Sequence, residues 1–348
     1  MKLEHSRQNN FGVLRLVFAS LVIVAHSPQF VDDNKSRELL TQLFGTLTFG
    51  ELAVDGFFLI SGYLIFKSFQ NSSSIKSFFL KRVLRIYPGF IAAFLICTFV
   101  VAPISGVGWS LIKNLPFQQL LTIPLDLIFL KVPAVEGAFL GAKVTDLNGS
   151  MWTIGLEFLC YISLPMMFLL GLHKRKYYIA TLLFSGFVFI TLLLTDKNYW
   201  FPYPLDVGAY SSSRLWTAFL IGGAFYAFRD KIIWNTKFSL ICLVLLLPLM
   251  FFKYTAEIAI FTFGAYLMFN FALNYKNEWL NSIGSKNDIS YGIYLYGWPI
   301  QALIVQSYPD ISPWALTISA LLLAAVAGYL SWIYVERPFS KFKNIIKT

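Results

Sequence analysis

Charge, cysteine and histidine are all scarce in this chain, and each shortage excludes something. Only 13% of the 348 residues are charged against 57% hydrophobic, a ratio that a water-soluble core with a polar shell does not produce at this length. The solvent around most of the chain is therefore lipid. The three cysteines, Cys97, Cys160 and Cys242, fall in apolar stretches without CxxC spacing or a neighbouring histidine. That pattern argues against a disulfide framework and a Cys/His metal site, and it predicts buried free thiols. Internal repeats and low-complexity tracts are missing, which disfavours repeat-built transporters. The first apolar stretch lacks a small-residue cleavage site and carries Arg15, so it is expected to stay as a helix and not to be removed as a signal.

What is abundant is apolar length. A spanning helix needs about 20 apolar residues, and stretches near that length run from roughly 11 to 27, 48 to 66, 86 to 104, 151 to 170 and 177 to 194. Five more follow at roughly 214 to 228, 238 to 252, 256 to 274, 289 to 306 and 314 to 334. The breaks between them are too short for a second folded unit, so residues 1–348 are expected to form one membrane domain. The expected fold class is an all-α integral membrane protein of about ten transmembrane helices.

The segment 111 to 130 is apolar but interrupted by Lys113, Pro116, Pro124 and Asp126. Basic residues decide how to read it. The 28 Lys and Arg against 18 Asp and Glu give a net charge of +10, and they cluster in short breaks such as His173-Lys174-Arg175-Lys176 and Arg229-Asp230-Lys231. This is topology information, and no nucleic-acid partner is expected. A full span at 111 to 130 would put the 173–176 cluster outside. A re-entrant or interfacial outer segment keeps it inside with Lys76, Lys81, Arg82, Arg229, Lys231, Lys237, Lys276, Lys286, Lys341 and Lys343. Both termini are then cytoplasmic, and 105 to 150 is the largest outer segment.

Ionisable groups inside hydrocarbon are costly, so each is a functional candidate. Arg15 and His26 are eleven residues apart on the first helix, close to three turns, so they share a face about 16 Å apart along the axis. His5 sits in the N-terminal tail and His173 in a basic loop, which leaves His26 as the histidine within a span. Imidazole is the side chain suited to take and return a proton near neutral pH; the plain alternative is a satisfied helix-end histidine. Asp55, in Val54-Asp55-Gly56-Phe57-Phe58, and Glu157, after Asn148-Gly149-Ser150-Met151-Trp152-Thr153, both fall in the outer half of their spans. Two carboxylates and one imidazole are thus expected at one depth, where a carboxylate could orient the imidazole and stabilise its charged form. For Asp55, beside a packing glycine, a helix-packing hydrogen bond is the stronger alternative. Arg82 and Arg85, at i and i+3 on a cytoplasmic, solvated helix end, can present two planar forks to phosphate oxygens. The ninth segment stacks polar aromatics in Ser290-Tyr291-Gly292-Ile293-Tyr294-Leu295-Tyr296-Gly297-Trp298-Pro299.

Taken together, these segments resemble the membrane acyltransferase-3 family, which modifies bacterial surface polysaccharides and related sugars. The matching pieces are Arg15 with His26, Val54 to Phe58 with Ser61-Gly62-Tyr63, Arg82 with Arg85, Trp152-Thr153 with Glu157, the Ser290-Tyr291 segment, and Glu336-Arg337-Pro338. The resemblance covers essentially the whole chain. It implies a multi-pass protein of the bacterial inner membrane that takes acetyl-CoA or another acyl-CoA as donor. The implied acceptor is a saccharide hydroxyl on a surface polysaccharide, an oligosaccharide or a lipid-linked glycan. It also implies catalysis by His26 and donor binding by Arg15, Arg82 and Arg85, with Ser61, Tyr291 and Tyr294 in the matching segments lining the donor site. Many relatives carry a second histidine two residues before the proline of the Ser-Tyr segment, where this chain has Gly297. Some append an extracytoplasmic hydrolase-like domain, which is not expected here because the chain stops soon after its last span.

The expected mechanism docks the CoA nucleotide on Arg82, Arg85 and Arg15 at the cytoplasmic face and threads its arm inward to His26. Histidine then deprotonates the sugar hydroxyl, held by Glu157 or Asp55, or first carries the acyl group on its own nitrogen. The alternative is a proton-coupled sugar or lipid transporter in which His26, Asp55 and Glu157 form a relay.

Overall fold

A computed structural model of the protein describes residues 9–110, 117–195, 199–202, 207–285 and 287–345. His5, Lys286, and the stretch 111–116 with Lys113 and Pro116 lie outside the described residues. Each of the ten apolar segments falls on a helix: α1 (Phe11–Asp32), α2 (Phe49–Gln70), α3 (Ile75–Ile96, continuing to Val107), α4 (Trp152–Leu169), α5 (Arg175–Thr195), α6 (Ala209–Ala227), α7 (Thr236–Leu249), α8 (Lys253–Asn274), α9 (Ser290–Ser307) and α10 (Pro313–Ser331). Among the described residues seven are long and apolar enough to cross a membrane; α6, α7 and α9 fall short of that measure. The chain is thus an all-α multi-pass membrane protein.

Local chemistry sets the helix starts. At α2 the Thr48 hydroxyl accepts from the Glu51 backbone N–H while the Glu51 carboxylate accepts from that of Thr48, a reciprocal cap. Ser74 opens α3, Asn235 opens α7, and Ser312 followed by Pro313 opens α10. The Ser74 cap places the start of α3 eleven residues before the expected 86, so Arg82 and Arg85 lie well inside the helix. Hydropathy ended the segment at the charges, but a helix carries charged side chains when partners meet them.

Side-chain contacts give each helix a direction. Phe11 meets Tyr63 with ring centroids 5.4 Å apart, Phe18 lies over Gly56, and Ala25 lies beside Gly50, so α1 and α2 are antiparallel. Arg15 bonds Asp288 just before α9 and His26 meets Trp298 within it, so α1 and α9 are parallel. The ring of Tyr87 on α3 meets Phe158 on α4. The stretch 108–148 therefore leaves and returns at the His26 end of the bundle. Within it Phe117–Ile128 is a short helix, and the Tyr87 hydroxyl donates to the Ile128 carbonyl at 2.8 Å, well below the end of α3. At the opposite end His173 stacks on Phe168, Arg175 pairs with Asp230, and the Asn10 amide donates to the carbonyls of Phe271 and Tyr275. The basic clusters thus gather around the start of α1. Cys97, Cys160 and Cys242 are buried free thiols.

The backbones of α2 and α6 approach each other closely. A Cβ at Gly62 would sit 1.9 Å from the Phe219 carbonyl oxygen, and one at Gly222 would sit 2.0 Å from that of Leu59. Between lipid-embedded helices such contact replaces the hydrophobic drive that water would give. Gly222→Ala is therefore expected to cost about 1–3 kcal/mol by overpacking and to lower the thermal midpoint in detergent. Gly186→Ala, where nothing lies within 4 Å, is the control and should leave the midpoint unchanged or raised.

Candidate active site

At the Arg15 end three elements meet on one carboxylate. Asp288, on the turn before α9, accepts through one oxygen from Arg15 Nη2 at 3.0 Å and from Arg85 Nη2 at 2.8 Å. Its other oxygen accepts from the Ser290 hydroxyl. Burial favours a neutral carboxyl, but the Arg85 and Arg15 guanidiniums outweigh it and hold Asp288 well below the usual carboxylate range. Arg82, one turn lower on α3, donates to the Ser68 hydroxyl at 3.2 Å and lies over the Phe78 ring. Arg82 and Arg85 are therefore half-buried and partnered, not on the solvated helix end that the sequence led us to expect. Sequence reasoning missed Asp288 because a charged residue in a polar turn is ordinary.

A cavity of about 100 Å³ opens from this cluster. Arg15, Arg85, Glu157 and Tyr291 line its charged end, and Val54, Thr153 and Tyr294 line the other. Glu157 accepts from the Ser61 hydroxyl at 3.0 Å and from the Tyr161 hydroxyl. Tyr291 donates to the Ile86 carbonyl, and Tyr294 bonds the Thr153 hydroxyl and the Ser150 carbonyl, each at 2.6 Å. A larger cavity of about 380 Å³ between α4, α5 and α6 has no charged side chain in its lining.

His26 lies outside the lining of that cavity, farther along α1. Its Nδ1 is 3.2 Å from Gln29 Oε1, and its ring meets Trp298 edge-on, with centroids 4.7 Å apart. The Trp298 indole N–H donates to the Asp146 carbonyl at 3.0 Å. Gly297 is packed against α1, where a Cβ would come within 2.7 Å of Ile23. Ile23 fills the space that a side chain at that position would need.

The expected meeting of both carboxylates with His26 is not formed. The α1–α2 ladder puts His26 beside the start of α2, whereas Ser61, and with it Glu157, lies eleven residues past Gly50, about 16 Å deeper. Glu157 is thus level with Arg15. The cause is the starting depth of α4. Pro299 has no N–H to give the Leu295 carbonyl, and the Asn148 amide donates there instead at 2.7 Å, while Ser150 donates to the Tyr294 carbonyl. Leu295 is five residues into α9, so α4 begins about 8 Å up a helix about 27 Å long.

Asp55 is completely buried, but it faces α6. Adjacent helix residues point about 100° apart, so with Gly56 under Phe18 of α1, Asp55 is turned away from that helix. Arg214 Nε lies 3.4 Å from its carboxylate and Arg214 Nη1 lies 3.3 Å from Glu257, which also accepts from the Tyr210 hydroxyl. His26, Asp55 and Glu157 therefore share no direct hydrogen-bonded chain among the described residues. An arginine opening an apolar segment was the signal for Arg214.

The chain is a multi-pass helical bundle with a charged cavity at one end and a histidine toward the other, and comparison with known proteins gives its family. A model of the acyltransferase domain of family 3 matches residues 9–336, and the chain belongs to this acyltransferase-3 family. The O-acetyl transferase of Shigella phage Sf6 is 27% identical over 96% of both chains. Nodulation protein 10 of Rhizobium leguminosarum bv. viciae is 26% identical over 98% of this chain and 96% of its own. No solved structure matches. The protein is a membrane acyltransferase.

The Asp288 geometry sets a pH test. A depressed folded-state value means that the stabilisation is complete at neutral pH and is lost only as pH falls through that value, below the ordinary carboxylate range near about 4. With Asp288 10% exposed and its partners 23% and 29%, Asp288→Asn is expected to cost about 2 kcal/mol. The thermal-midpoint gap to wild type should stay level from about pH 8 to about pH 5 and close only in stronger acid.

Proposed function

We propose that this protein moves an acetyl or other short acyl group from cytoplasmic acyl-CoA to a hydroxyl of a cell-surface or lipid-linked saccharide at the outer side of the bacterial inner membrane. In this reading all ten helices span, both termini are cytoplasmic, 105–150 is the largest outer segment, and 111–130 within it is re-entrant or interfacial. Residues 173–176 are on the inner side. The basic clusters around the start of α1 and the return of 108–148 to the His26 end support that orientation.

One observation carries the reading: the cavity starts at two arginines and runs toward the helix face that bears His26. Phosphates need paired cations, and Arg15 and Arg85 are already held side by side, with Arg82 one turn below. The donor's arm rises past Tyr291 and Tyr294, with Ser61 behind Glu157. The thioester reaches His26 without the nucleotide crossing the bilayer. Glu157 acts at the donor end, where it balances the arginines, and Asp55 holds α2 on α6. The acetyl group follows the name of the Shigella phage relative, an O-acetyl transferase, and the sugar acceptor follows the resemblance of the sequence motifs to the acyltransferase-3 family.

His26→Ala should lower transfer by about 10²–10⁴-fold while acyl-CoA affinity in detergent stays within about twofold, because the donor's phosphates bind at the other end. Wild-type rates from a folded His26→Ala protein would overturn the assignment. For topology, Lys143→Cys on intact spheroplasts should react with an impermeant maleimide, whereas Lys174→Cys should react only after lysis. Reaction of both from one side would rule out the ten-span arrangement.

A further inference from the structure

The α1 turn that carries His26 is bound on several sides. Pro28 lies inside α1 and has no N–H for the Val24 carbonyl, a gap at which a helix is free to bend. The neighbouring backbone is held from outside: the Gln301 amide on α9 donates to the Ile23 carbonyl at 2.9 Å and to the Ser27 hydroxyl at 2.8 Å, and Thr317 on α10 bonds Ser27 at 2.7 Å. Trp298, anchored by Asp146 and packed on Phe30, fixes the ring's tilt. What remains is the choice of protonated nitrogen. Gln29 sits at i+3 from His26, where helix side chains meet.

We infer that Gln29 is the positioning residue of the catalytic histidine: its side-chain carbonyl accepts the Nδ1–H of His26 and so presents Nε2 with its lone pair free. The inference rests on His26 being the base. An amide oxygen can orient the ring but cannot take its proton, and among the described residues no carboxylate bonds the ring to stabilise the imidazolium formed in the reaction. Lys35, beyond the end of α1, is the charged side chain that bears on the ring, and Asp55 and Glu157 lie deeper. The step balances within the reactants. Nε2 takes the hydroxyl proton as oxygen bonds the thioester carbon, the C–S bond breaks, and Nε2–H returns the proton to the departing sulfur as CoA thiol. The same tautomer serves the acyl-histidine route, in which Nε2 attacks directly.

The test uses full-length protein with ¹⁵N-labelled histidine, assigned with His5→Gln and His173→Gln variants. It is paired with transfer from radiolabelled acetyl-CoA into the glycan fraction of host membrane vesicles. Wild type should show a single Nδ1–H tautomer at His26. Gln29→Leu, of similar size, should mix the tautomers and lower kcat on the order of 10-fold or more, with KM for acetyl-CoA within about twofold. Gln29→Glu should keep the tautomer and restore transfer, with the acid limb of kcat/KM moved to higher pH because a carboxylate now stabilises the protonated ring. Unchanged tautomer and kcat in Gln29→Leu, or a Gln29→Glu profile that superimposes on wild type, overturns the inference. Loss of the reading beneath it looks different: His26→Ala then retains transfer, or wild type fails to use acetyl-CoA.

Discussion

The shared carboxylate of Asp288 is the constraint on which the working half of the molecule depends. Two guanidiniums at hydrogen-bond range from one oxygen repel each other, and without an anion between them α1 and α3 could not place arginines side by side in a poorly solvated site. With it, three elements are fixed in register at one end, and α9, which starts two residues later, is fixed with them. The cost of removing these charges from water is offset only while all three partners remain. The cluster therefore specifies an arrangement more than it adds stability.

From that anchor α9 acts as a ruler. Tyr291, Tyr294 and Trp298 follow at three- and four-residue steps, so they rise along one face. The first bonds α3, the second bonds the start of α4, and the third meets His26. Pro299 completes the design through what it lacks. Its missing N–H frees one carbonyl, Asn148 claims it, and the whole of α4 is set low enough for Glu157 to join the arginines.

The order of the helices and the gathering of Arg15 with Arg85 at one end of the bundle were legible in the sequence, because apolar length and charge within it are themselves the physical signals. Relative depth was not. Hydropathy gives where a helix lies along the chain, but its offset from its neighbours is set by particular bonds, here Asn148 at the Pro299 gap. Glu157 and Asp55 were therefore given a level they do not share. The rotation of Asp55 was readable in principle, since Gly56 could pack only one neighbour, but sequence does not name that neighbour. Gln29 escaped notice because a neutral amide near a helix end carries no composition signal at all.

Of the two carboxylates expected beside His26, Asp55 turns out to answer a different problem. Asp55 and Glu257 are buried beside a single guanidinium, Arg214, with Glu51 at the rim, 3.9 Å from it. Such a group of charges is poor evidence for stability, since apolar side chains of the same volume would often hold helices as well. It is, however, selective. Glycine contacts between α2 and α6 at Gly62 and Gly222 allow close approach, but small residues alone permit sliding by a turn. An arginine that must meet Asp55 and Glu257 together allows one register for α2, α6 and α8. Close packing supplies the attraction and the ion cluster supplies the choice, which keeps α2 level with α1 and so keeps the cavity aligned with the helix face that ends at His26.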